Sequence, residues 1–174
     1  MKKQHLTQKL MLLMAFLWVF TSVAKAQEAE RKAMAKLSFM VGDWKGKGES
    51  FGKKESKPVN VKSEVKYDLG GTLLIIRVLD TQGEKVTLRL HTVINYNAKE
   101  GKYYYSPFSP RGLKRHFVGK VVNSQKIIFA LPDNSYRLVF QKNEAGAFVE
   151  HGERYENGKW VMNFRNTLVP TSDY

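Results

Sequence analysis

Residues 58–69 read PVNVKSEVKYDL, and the alternation in this stretch decides the fold. Val59, Val61, Ser63, Val65, Tyr67 and Leu69 fall on one side, while Asn60, Lys62, Glu64, Lys66 and Asp68 fall on the other. A period of two with one apolar and one charged face is the pattern of an antiparallel strand that packs on a core and faces water behind it. Working outward, the same period persists to the C-terminus and gives ten candidate strands, at 43–52, 58–69, 72–80, 85–96, 102–108, 114–122, 125–131, 135–142, 147–156 and 159–169. The breaks carry turn chemistry, among them Gly70-Gly71, Ser109-Pro110-Arg111-Gly112, Pro132-Asp133-Asn134 and Asn157-Gly158. Asn-Gly suits the positive-φ positions of a tight hairpin. Every connection but the first is short, so successive strands are antiparallel neighbours, and ten meandering strands lose their exposed edges by closing on themselves. The expectation is an all-β protein, a ten-stranded antiparallel up-and-down β-barrel.

Upstream of the strands, residues 28–41 (EAERKAMAKLSFMV) place Ala33, Leu37, Met40 and Val41 at helical spacing with Gly42 as a C-terminal cap. A short N-terminal helix is expected there. Further upstream, Lys2, Lys3 and Lys9 precede an uncharged run from Leu10 to Val23, followed by Ala24-Lys25-Ala26. Basic start, apolar centre and small-x-small end make 1–26 a signal peptide, too short in its apolar part for the roughly 20 residues of a membrane helix. The chain therefore divides into a leader, 1–26, and one barrel domain, 27–174, exported to the periplasm or the exterior.

The 174 residues carry 29 Lys plus Arg against 16 Asp plus Glu and no cysteine. Without Cys there is no disulfide framework, thiolate metal site or cysteine nucleophile. The basic residues are scattered along strands, and no RNP-like motif, finger spacing or basic helix accompanies them, which argues against nucleic acid as a partner. In a meander alternate loops share an end. Lys53, Lys54, Lys57, Arg111, Lys114 and Arg115 therefore gather at one mouth, and the helix enters from the opposite end as a plug.

A barrel of this size leaves room for one small ligand. The inferred inward set is Val61, Val65, Tyr67, Leu73, Ile75, Leu88, Leu90, Ile94, Phe129, Phe140, Met162 and Phe164, with Ser63, Arg77, Thr92 and Tyr96 as polar members. Of the run Tyr103-Tyr104-Tyr105, alternate rings face opposite ways, so that Tyr104 lines the cavity and its neighbours cover the outside, or the reverse; Tyr104 is the candidate cavity residue. The candidate ligand contacts are thus Arg77, Tyr67, Thr92, Tyr96 and Tyr104, around a small and largely apolar molecule. An acidic head group would be drawn to the basic mouth or to Arg77.

The stretch Phe39-Met40-Val41-Gly42-Asp43-Trp44-Lys45-Gly46-Lys47-Gly48 resembles the lipocalin-like, or calycin, group, in which Gly-x-Trp follows a short helix and opens the first strand. Its form, Gly-x-Trp-x-Gly-x-Gly, is most similar to ten-stranded nitrobindin-like barrels and secreted lipocalin-like domains. Fatty-acid-binding proteins insert two helices after the first strand, where this chain has only a short loop. The resemblance implies that Gly42, Trp44, Gly46 and Gly48 are structural and that Arg165, in the last strand, stacks on Trp44. It also implies a second reading, a haem-binding barrel with His151 as the iron ligand. A third is an interaction module whose outer face, without a cavity ligand, meets a protein or envelope surface.

Catalytic patterns are missing. Gly48-Glu49-Ser50-Phe51-Gly52 matches G-x-S-x-G but leads into a turn and a strand rather than a helix. No P-loop, dinucleotide fingerprint or H-E-x-x-H follows. Glu150, Glu153 and Glu156, and Asp68 with Asp80, read as residues of the solvated face. A binding protein is expected, not an enzyme, with no obligatory cofactor or metal.

Overall fold

The computed structural model describes residues 27–51, 58–112 and 115–171. The leader assigned to 1–26 and the rim residues Lys53, Lys54, Lys57 and Lys114 lie outside these residues. A helix, α1, covers 27–35 and passes through a single 3-10 turn, Ser38–Met40, into the first strand. Ten strands follow: β1 Gly42–Ser50, β2 Val59–Asp68, β3 Leu73–Gln82, β4 Lys85–Asn97, β5 Lys102–Phe108, β6 Phe117–Asn123, β7 Lys126–Ala130, β8 Tyr136–Lys142, β9 Phe148–Glu156 and β10 Lys159–Pro170. Each pairs antiparallel with its neighbour in sequence, and β1 pairs with β10 to close the barrel. Such a closed ten-stranded antiparallel barrel is consistent with a calycin-like fold. Among the described residues no helix is long and apolar enough to cross a membrane.

The alternation of β2 is realised as read: Val61, Ser63 and Val65 are buried, Lys62 and Lys66 exposed. The β9–β10 hairpin turns on Asn157 and Gly158, at φ 50° and 80°, the left-handed geometry that a type I′ turn demands. At the closing seam β1 lies tight on β10. A Cβ on Gly46 would fall 2.0 Å from the carbonyl oxygen of Thr167, so only glycine allows the two backbones to approach there.

The end of the barrel where β1 begins is plugged. Met34, Leu37 and Met40 are fully buried beneath it. Three side chains tie the plug down: the Tyr67 hydroxyl donates to the Met34 carbonyl (3.1 Å), the Tyr103 hydroxyl to Ala33 (2.8 Å) and the Trp44 indole N–H to Met40 (2.9 Å). The last bond satisfies a buried carbonyl at the end of the 3-10 turn. Trp44→Phe is therefore expected to cost about 1–3 kcal/mol, the penalty for leaving a buried polar group unpaired; an unchanged urea midpoint would show that the bond does not matter. From Trp44 an aromatic column runs up the interior, through Phe148 (5.3 Å between ring centroids) and Phe140 (6.1 Å) to Tyr105 (5.6 Å).

Several strands depart from the expected facing, β3 and β10 among them. In β3, Val65 lies opposite Ile76 and Ser63 opposite Val78, so Leu74, Ile76, Val78 and Asp80 point inward while Leu73, Ile75 and Arg77 point outward. In β10 a bulge between Met162 and Phe164 flips the side-chain parity. Phe164 stays inside, and Met162 shares the outer face with Glu153.

Candidate functional site

Above the aromatic column, at the end opposite the plug, lies a cavity of about 400 Å³. Its wall is largely apolar, built from Val59, Val78, Leu88, Leu90, Phe117, Leu138 and Phe164. Into this wall the register sets two carboxylates. Asp80, on β3, lies opposite Val61 and Leu88; Glu150, on β9, lies opposite Phe140 and Asn166. The Asn166 side chain donates to Glu150 (3.4 Å), and a Cβ on Gly48 would come within 2.4 Å of the same Asn166 amide. Gly48 thus leaves the space in which Asn166 supports Glu150. Gly152 does the same for Tyr136 and Phe164, which a Cβ there would meet at 2.0 and 2.3 Å; the Tyr136 hydroxyl continues to Asn163 (2.9 Å).

The surroundings penalise charge. Burial pushes the Glu150 carboxyl up to about 7, opposed by the Asn166 bond and assisted by the charge of Asp80. Burial alone raises Asp80 to about 6. The neighbouring phenols are raised too, Tyr136 to about 12 and Tyr105 further, by burial first and then by the Glu150 charge. Asp80 is only 9% exposed, and its Oδ1 has no hydrogen-bond partner. An acceptor left open in an apolar cavity is a demand for a donor, worth about 1–3 kcal/mol to whatever supplies one. Chemically the site can accept hydrogen bonds, hold a cation and exchange a proton near neutrality.

The residues singled out from sequence fall elsewhere. Arg77 is a correction: it faces solvent and pairs with Glu64 at 3.0 Å, because β3 is set one residue out of the assumed phase. Tyr104 is another. Its hydroxyl bonds Glu100 on the outside, and Tyr103 and Tyr105 are the buried pair. Tyr67 and Tyr96 lie at the plugged end instead: Tyr67 is exposed and bonds the Met34 carbonyl, and Tyr96 packs on Tyr103 (4.8 Å). Thr92 is fully buried and donates to the Tyr105 hydroxyl (3.5 Å), so it supports a cavity residue without lining the cavity. Of the mouth cations within the described residues, Arg115 lines the cavity. Arg165 does not reach Trp44: it is exposed on the outer face, and the cation over the indole is Lys142, at 5.8 Å.

Asp80 and Glu150 are what the sequence reading missed, having assigned both to the solvated face. A signal was present. Phe148, Glu150 and Gly152 share one parity, and a strand-interior glycine beside an aromatic marks the side where another group approaches closely.

His151, the residue that the resemblance offers to haem iron, does not line the cavity. His151 points outward, with Nε2 3.4 Å from Glu153, across the strands from Val139 and Arg165. Among the described residues no histidine lines the cavity, and no cluster of three or more His, Asp or Glu is placed to hold a metal ion. Compared with known proteins, the chain matches no family model and no curated protein.

Proposed function

We propose that the chain is an exported, lipocalin-like carrier that binds a small, largely apolar molecule in this cavity without transforming it. The observation that carries the reading is the cavity itself: a closed barrel, plugged at one end, keeps about 400 Å³ of mostly apolar space at the other. Apolar walls with a few grouped polar atoms are the usual make-up of a ligand site. An open interior favours this over an interaction module, which would gain more from a filled core. The outward placement of His151 removes the support for the haem reading, and with Arg77 outward the cation that an acidic head group would meet is Arg115 at the cavity mouth.

The test is binding of a neutral fluorescent probe, N-phenylnaphthylamine. Leu90→Trp pushes an indole into the cavity, whereas Val122→Trp adds one at an outer position that is 51% exposed. The expected result is a loss of at least about ten-fold in affinity, ~1.4 kcal/mol, for Leu90→Trp alone. Equal affinity in the two variants and the parent would contradict the proposal.

A further inference from the structure

We propose that the polar end of the ligand is a protonated amine, seated between Asp80 and Glu150. The inference rests on the carrier reading and gives it a ligand class. Asp80 is nine-tenths buried, lines the cavity and leaves Oδ1 without a partner. Glu150, which lines the same cavity from β9, accepts a hydrogen bond from Asn166 at a long 3.4 Å. Asp80 thus brings an unpartnered acceptor, and Glu150 a second carboxylate, to the lining of one largely apolar space.

Three kinds of polar end compete for such a site. A carboxylate ligand would place a third anion beside two buried acids, and repulsion is strong where water is excluded. A hydroxyl donates one hydrogen bond and offsets no charge. An ammonium donates three and neutralises the acids it meets, the pairing that makes charge-assisted bonds strong. The overall charge of +13 does not create this preference; it opposes it, so the preference is local to Asp80 and Glu150.

Other titratable or charged groups around the cavity are Tyr105 on β5, Tyr136 on β8, Arg115 before β6 and Glu49 on β1. Both phenols stay neutral through the physiological range, because their surroundings raise them. Arg115 supplies a guanidinium, a donor without an acceptor. Glu49 is exposed. The groups that change with pH inside the cavity are therefore the two acids. Each must be ionised to hold an ammonium, so the amine keeps its proton, the acids release theirs to solvent, and affinity for the amine rises from about pH 5 to about pH 8.

The experiment is displacement of N-phenylnaphthylamine by decylamine, decanol and decanoate, each below its micelle-forming concentration, at pH 5 and pH 8. At pH 8 decylamine is expected to displace the probe at a concentration at least ten-fold below decanol, with decanoate weakest. At pH 5 the amine advantage shrinks. The double variant Asp80→Asn/Glu150→Gln, which preserves shape, is expected to lose the amine advantage at both pH values, read as displacement relative to the variant's own affinity for the probe. Decanol or decanoate matching decylamine on the parent protein would overturn the proposal, as would an undiminished advantage in the double variant. Failure of the probe to bind the parent protein at all would instead contradict the carrier reading.

Discussion

Raising the pH from about 4 to about 8 is expected to destabilise the ligand-free protein by on the order of 6 kcal/mol through Asp80 and Glu150. Both acids titrate higher in the fold, at about 6 and about 7, than their ordinary values of 3.8 and 4.5. A group raised in the folded state contributes its full stability below its unfolded pKa and loses it as pH climbs through the folded one. The loss therefore falls between about pH 4 and pH 8, at about 1.4 kcal/mol for each unit of displacement. For a chain of this length that corresponds to a drop in Tm of about 10–20 °C. Glu64, Asp133 and His151 are displaced the other way, so the measurement is the difference between the parent and Asp80→Asn/Glu150→Gln, in which their effects cancel. The double variant should be the more stable protein at pH 8, with the gap closing toward pH 4. Parallel curves would show that the two acids are not buried as described.

Phe140→Ala should cost about 3–5 kcal/mol, the range for removing a large buried aromatic. Phe140 is 2% exposed and contacts Tyr105, Phe129 and Phe148, with centroids at 5.6, 5.9 and 6.1 Å. It joins the plugged end, through Phe148 and Trp44, to the cavity wall at Tyr105. Urea unfolding reads the loss directly. A cost below about 1 kcal/mol would mean that the column is loosely packed and does not support the cavity.

The barrel was legible in the sequence because its strands are half-wetted: in β2 each lysine and glutamate on the outer face names the inner one by exclusion. The cavity was not, and the reason is the same rule failing. Leu73-Leu74-Ile75-Ile76 offers apolar side chains to both faces, so alternation is silent in β3 and Arg77 could be placed on either. The 3-10 turn at Leu69–Gly71 sets the phase, and pairing fixes it: once Val61 is inside, Asp80 opposite it is inside too. Tyr103-Tyr104-Tyr105 is silent for the same reason. The bulge at Met162/Phe164 leaves no mark in composition. Acids are correctly expected outside in most strands, which is why the two that line the cavity were hidden by the rule that revealed the fold.

The central claim is that a small apolar molecule occupies the space beside Asp80 and Glu150 and not the outer surface. Methyl-resolved NMR during titration with decylamine, below its micelle-forming concentration, tests it most directly. The account predicts saturable shifts at Val59, Val78, Leu88, Leu90 and Leu138, with Met34, Leu37 and Met40 of the plug unmoved. Saturable shifts confined to outward-facing methyls such as Leu73, Val122 and Val169, or to the plug, would contradict it.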